Sequence, residues 1–230
     1  IEAPGSATGD PDSLDGVTST LPVRADAGGV APVARLSEGN LRGNALLAAA
    51  QTGEGDALAV DAWGHGAEWV ASILSALDID PGAVDAATLY GLPGGDPRAK
   101  PVLSLHGRVL GTKPLLAGEG VSYGYIHRAP SDTTVALVTG GYAQGVVRSL
   151  GNVADVVIAG RRHRIVGRVA MDVCVVDVTD ARPEWGTDAV FFGDPDAGHP
   201  SLSDWTDATG WNAGEIVAAV GARAVRTVVA

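Results

Sequence analysis

The sequence predicts a mostly β chain preceded by a short α/β segment. Three observations carry that expectation. From residue 102 onward, short apolar runs rich in Val, Ile and Thr recur between turn residues, as half-buried strands do. Between residues 30 and 77 the apolar spacing is helical on both sides of one short continuous run. The chain has 230 residues, 46% hydrophobic and 19% charged, a globular balance with room for one domain plus additions or for two small ones.

The elements follow in order. Residues 1–29 are rich in Gly, Pro, Ser, Thr and Asp, lack apolar periodicity, and read as a flexible leader. Within it, Asp10, Asp12, Asp15 and Gly16 lack the spacing and closing Glu of a calcium loop, so they read as solvated turn residues. Residues 30–36 suit a short strand. Residues 37–50 suit a helix with Leu41, Ala45, Leu46 and Ala49 on one face and Ser37 or Asn40 as its cap. A polar turn over 51–56 precedes an apolar run at 57–62, read as a buried strand. A second helix runs to Leu77, with Trp69, Val70, Ile73, Leu74 and Leu77 at helical spacing. Residues 78–95 hold two Pro and four Gly and break the pattern. Strands are then expected at 102–110, 134–139, 155–159, 164–169, 173–178 and 189–192, with Gly160 and Arg161 marking a hairpin turn. A helix over 214–220, closed by Gly221, and a strand over 224–229 end the chain. No internal repeat is present.

Composition excludes several classes. A net charge of −11 argues against a nucleic-acid binder, which needs a basic footprint. The cluster Arg161, Arg162, His163, Arg164 therefore reads as a solvated turn, and residues 140–145 fit a dinucleotide fingerprint poorly. No apolar run approaches the ~18 residues of a membrane span, and no signal peptide is visible, so the expected setting is cytoplasmic. The single cysteine, Cys174, excludes a disulfide framework and a thiolate metal cluster, and its Val neighbours suggest an inert core thiol. No metal is expected. Lysine chemistry has only Lys100 and Lys113 to draw on.

Several segments in order carry a resemblance. Ala62-Trp63-Gly64-His65-Gly66, Leu89-Tyr90-Gly91-Leu92 followed by Lys100-Pro101, residues 117–124 (Ala-Gly-Glu-Gly-Val-Ser-Tyr-Gly), Gly141-Tyr142-Ala143-Gln144-Gly145, residues 165–172 (Ile-Val-Gly-Arg-Val-Ala-Met-Asp), and Arg223 with Arg226 match, in sequence, the motifs of one family. The chain resembles alanine racemases, almost continuously from Pro101 to Ala230. The resemblance implies an eight-stranded α/β barrel followed by a β-rich domain. It also implies a dimer, pyridoxal phosphate on a lysine, and an opposing tyrosine donated by the partner subunit. By position, Tyr123 is that tyrosine, Met171 and Asp172 match a segment whose methionine backbone lies near the substrate carboxylate in the family, and Trp63, His65 and Tyr90 fall on the cofactor side.

The sequence also departs from the family. Only about seventy residues lie between residue 30 and Lys100, whereas an eightfold barrel typically takes ~250. The expected organisation is thus a leader at 1–29, a vestigial barrel segment at 30–99 and an alanine-racemase-like β domain at 100–230. The family's lysine lies three residues before its Ala-Tyr-Gly-His-Gly motif, which here is Ala59. Its motif tyrosine is Trp63, its arginine facing the pyridine ring is Val84, and a tyrosine near the C-terminus is Ala222. Lys100 and Lys113 each precede a proline and read as exposed loop lysines. Tyr123 is either an ordinary hydrogen-bonding phenol or a base, and a phenol with pKa about 10 needs neighbouring positive charge to act as one. His65 is either an anion contact or a core histidine. The expectation is a racemase-like protein inactive alone, without cofactor, assembling as a homodimer or with a racemase homologue. The alternative is a pyridoxal-phosphate racemase active only in such a complex or through a rebuilt site.

Overall fold

The computed structural model describes residues 31–51 and 56–230. The expected leader and most of the expected turn at 51–56 lie outside the described residues. Strand β1 (Val33–Ser37) runs straight into helix α1 (Glu38–Ala48). Ser37 is its cap, its Oγ accepting from the Asn40 amide at 3.2 Å. The buried face is Leu41, Asn44, Ala45 and Ala48, whereas Leu46, expected inside, is exposed. Asn44 turns the helix that way. Its amide donates to the carbonyls of Lys100 (2.7 Å) and Leu89 (3.2 Å), and its Oδ1 accepts from the Lys100 amide (3.0 Å). A buried amide satisfied three times anchors a helix as a leucine would.

The run at 57–62 is not a strand. It leads into α2 (Ala59–Trp63), a turn of left-handed helix in which Val60, Asp61, Ala62 and Trp63 have φ of 51–57°. Helix α3 (Ala67–Ala76) buries Val70, Ile73 and Leu74, and a short α4 (Ala86–Tyr90) forms inside the Pro- and Gly-rich stretch.

The β-rich part begins with β2 (Leu103–Leu115), followed by a small hairpin of β3 (Gly120–Val121) and β4 (His127–Arg128), and then β5 (Thr133–Thr139). Next come β6 (Asp155–Ile158), β7 (Arg161–Val166), β8 (Val173–Asp177) and β9 (Asp188–Phe192). Helices α5 (Leu202–Thr209) and α6 (Ala213–Gly221) and strand β10 (Val225–Val229) complete the chain. Helix α5 was not expected, although a capping box announces it: Ser201 and Asp204 exchange side-chain-to-backbone hydrogen bonds.

Strands β2, β5, β8, β7, β6 and β9 pair in that order, and β9 pairs back onto β2, closing a barrel. Strand β2 is long enough to hold β1 and β9 along its first half and β5 along its second, with a bulge between Val109 and Gly111. Gly107 permits the crossing, since a Cβ there would lie 2.2 Å from the Thr139 carbonyl oxygen. Strand β10 adds parallel to β1 at the outer edge. Ala159 and Gly160, both at positive φ, make the β6–β7 turn. Lys113 sits within β2 opposite Val135, not in a loop. The basic cluster is neutralised locally: Arg161, Arg162 and Arg164 face Asp180, Asp204 and Asp155, and His163 is buried.

The main apolar core gathers around Phe191 and Trp205 and continues without a break to Leu41 on α1 and Val70 on α3, and a second, smaller cluster forms around Leu115 and Leu137. Cys174 lies inside the main core, and burial pushes its thiol up to about 12, so it is an inert core residue. Among the described residues, no helix is long and apolar enough to cross a membrane.

Candidate functional site

The left-handed turn α2 organises the first group. Left-handed residues with a Cβ each cost about 1–2 kcal/mol, so the surroundings must hold them. Asp61 Oδ1 accepts from the Ala67 amide at 2.8 Å, which caps α3, and Asp61 also pairs with Arg226 on β10. These bonds hold the Asp61 carboxyl below its usual range, the Ala67 amide first and Arg226 next. Gly64 presses on α6, where a Cβ would meet the Val217 carbonyl oxygen at 2.7 Å.

Trp63, His65 and Tyr90 are brought together. The His65 ring stacks on Tyr90, centroids 4.2 Å apart and 11° from parallel. Trp63 tilts against Tyr90, with centroids 6.0 Å apart and planes 40° from parallel. Two of their polar atoms meet the protein's own backbone. Tyr90 Oη donates to the Ala57 carbonyl, and burial pushes its phenol up. Burial also pushes His65 down to about 4, so the ring is neutral at physiological pH. Its Nδ1–H donates to the Ala62 carbonyl at 2.9 Å, and Nε2 is buried without a partner among the described residues. Trp63 fills the space above Gly214 on α6, where a Cβ would lie 2.6 Å from its Cζ3. Sequence reading missed Gly214 and Asp61, because neither role shows without the partner that packs on it.

The positions that depart from the family are equally plain. Ala59 presents only a methyl at the start of the turn. Val84 is buried, and Ala222 ends α6 exposed. Lys100 Nζ stands 3.7 Å from Asp194 and 3.6 Å from Asp196.

The second group lies on the β domain. Tyr123 sits in a single turn between β3 and β4 and is 57% exposed. The Arg168 guanidinium lies against its neighbour Gly124, 3.4 Å from where a Cβ would be. Met171 and Asp172 occupy the β7–β8 loop. The 140–145 segment positions them: the Ala143 amide donates to the Met171 carbonyl and the Gly140 amide to that of Asp172, both at 2.9 Å. The Asp172 carboxylate accepts from Gln144 Nε2 at 2.8 Å. The Met171 side chain remains 54% exposed. Among the described residues, no hydrogen bond or ring contact joins Tyr123 to Met171 or Asp172, or this group to the aromatic stack. No cluster of three or more His, Cys, Asp or Glu among the described residues can hold a metal ion.

Residues 102–228 match the family model "Alanine racemase, C-terminal domain". The chain is 41% identical over 130 residues to an alanine racemase of Streptomyces coelicolor, covering 56% of this chain and 33% of that protein. It is 43% identical over 141 residues to one from Thermobifida fusca, covering 60% and 38%. It thus spans about a third of the length of these curated relatives. Among solved structures, alanine racemase from Streptomyces coelicolor matches with a TM-score of 0.60 at 30% identity, covering 74% of this chain and 50% of that one. The Bartonella henselae enzyme, solved with covalently bound pyridoxal phosphate, matches at 0.56 and 30% identity, covering 61% and 40%.

Proposed function

This chain belongs to the alanine racemase family through its C-terminal domain, and on that premise we propose that it does not racemise alanine by itself and serves as a binding or assembly partner. The observation that carries the reading is Ala59. A methyl group stands where the family's lysine belongs, inside a left-handed turn fixed by Asp61, Arg226 and Gly64.

The residues around it do not fit pyridoxal phosphate. Alanine has no amine to condense with an aldehyde. The Tyr90 hydroxyl and the His65 Nδ1–H are both committed to backbone carbonyls. A phosphate at a turn needs free donors. Lys100 Nζ lies 3.7 Å from Asp194 and 3.6 Å from Asp196 on a half-exposed side chain, not in the shielded pocket that an imine-forming lysine requires. Removal of an α-proton needs the electron sink that such a cofactor supplies, so no step is assigned to this chain alone. A dimer, with itself or with a racemase homologue, in the cytoplasm, goes with this reading.

The test is reductive trapping. The protein is mixed with pyridoxal phosphate, reduced with borohydride, and digested for peptide mass spectrometry. No stoichiometric pyridoxyl adduct is expected. A single adduct at Lys100 or Lys113 would overturn the proposal and restore an enzyme reading.

A second reading is favoured by one observation. By resemblance, Tyr123, Met171 and Asp172 are the racemase positions kept on the β domain, and Tyr123 and Met171 are presented at the surface. A racemase site that takes its tyrosine from the partner could be completed by this chain in a mixed dimer. Co-purification with an intact racemase would support that. If Tyr123→Phe left the activity of the mixed pair unchanged, this second reading would fail.

A further inference from the structure

One polar cluster belongs to neither group. Strand β2 alternates, so Ser104 and His106 share a face, and β9 brings Asp188 beside them from the opposite direction. Asp188 Oδ2 lies 2.8 Å from His106 Nδ1, and His106 Nε2 lies 3.0 Å from Ser104 Oγ. Arg35 on β1 takes the other carboxylate oxygen, Oδ1, at 3.1 Å. A carboxylate on Nδ1 fixes the proton there and leaves Nε2 as the acceptor for the serine O–H. The histidine is 5% exposed, so the relay is shielded, while Ser104 is half-buried and reachable. Nucleophile, base and orienting carboxylate thus stand in sequence within hydrogen-bond reach.

A Cβ on Gly193 would lie 2.9 Å from Ser104 Cβ and 2.6 Å from His199 Nδ1, so only glycine lets the backbone pack this closely on both. His199 Nδ1 is buried without a hydrogen-bond partner among the described residues, and its ring meets His106 edge-on at 6.1 Å. Gly193, with Asp194 and Lys100, also lines a cleft of about 540 Å³, and through Gly193 that cleft adjoins Ser104.

We propose that Ser104, His106 and Asp188 form a second site, a serine activated for attack on small carboxylic esters. Ser104 Oγ bonds to the acyl carbon while its proton passes to His106 Nε2. The carbon–oxygen bond to the leaving alcohol breaks, and the alcohol takes that proton. Water then attacks the acyl-serine, giving one proton to His106 and releasing the acid as Oγ recovers it. Asp188 is a positioning residue. Neither pyridoxal phosphate nor Tyr123 takes part, so the proposal stands apart from the one above.

The test uses a fluorophosphonate, which bonds through phosphorus to an activated serine and expels fluoride, with p-nitrophenyl acetate hydrolysis as the second readout. Folded protein is expected to gain one adduct, mapped to Ser104, and heat-unfolded protein none. Ser104→Ala, a small change at a half-buried position, abolishes both signals. His106→Gln lowers both rates about 100-fold or more with an unchanged circular-dichroism spectrum. An absent adduct, an adduct at another residue, labelling that survives Ser104→Ala, or a rate indifferent to His106→Gln in a folded protein overturns it.

Discussion

His65 shows how one side chain ties its surroundings to pH. Its ring is sealed between Tyr90 and the α2 backbone, and burial brings its pKa from the usual 6.5 down to about 4. Above pH 6.5 it is neutral folded and unfolded. As pH falls toward 4, the unfolded chain binds a proton that the native chain refuses, so the stability from this neutral histidine is lost across that window. The loss approaches ~3 kcal/mol, and His163 and His199, also lowered by burial, add in the same direction. Urea unfolding at a series of pH values should show stability falling between pH 6.5 and 4. His65→Gln should flatten that limb, and an unchanged slope would contradict this account. Gly214 gives a second prediction. Alanine normally favours a helix over glycine by ~1 kcal/mol, but here its Cβ would strike Trp63. Gly214→Ala should therefore destabilise by about 1–3 kcal/mol, and Trp63→Ala should remove that penalty in a double-mutant cycle. The motif residues were legible in the sequence. Their packing was not, because His65–Tyr90 and Trp63–Gly214 are contacts between distant segments.

Among the elements, α2 departs furthest from expectation. An apolar run of this length suits a buried strand on composition alone, and periodicity cannot separate the two. The contacts of Gly64 with α6 and of Asp61 with Ala67 and Arg226 decide it instead. Val60 bears the worst of the strain: it is β-branched, at φ 51°, and 74% exposed, so its side chain contributes little in return. Val60→Gly removes a left-handed penalty of about 1–2 kcal/mol and adds roughly 0.5–1 kcal/mol of unfolded-chain entropy. A net gain near 1 kcal/mol is expected, read as a higher midpoint in urea, and a lower midpoint would mean that the turn is not left-handed in solution. The barrel strands were readable because their Val and Ile runs are bounded by turn residues. The two-residue strands β3 and β4 were not, since neither is long enough to carry a period.

At the scale of the whole molecule, closure decides the energetics. The ring is completed where β9 returns to β2, a pairing between segments some eighty residues apart, as His106 and Asp188 are. Fold class could be read from local pattern, but ring closure could not, because nothing local encodes which strand meets which. The N-terminal segment is bound into the same body. Strand β1 lies between β2 and β10, and the core around Phe191 and Trp205 continues to α1 and α3. Residues that share one core lose their burial together, so the segment before Lys100 and the β domain after it should unfold as one unit. Trp63 and Trp69 report on the first, and Trp205 and Trp211 on the second. Single-tryptophan variants retaining Trp69 or Trp205 should show coincident urea transitions by fluorescence, matching that by circular dichroism. If Trp69 reported an earlier transition than Trp205, the N-terminal segment would be an independently melting attachment, and the continuity of the core would not be what holds it.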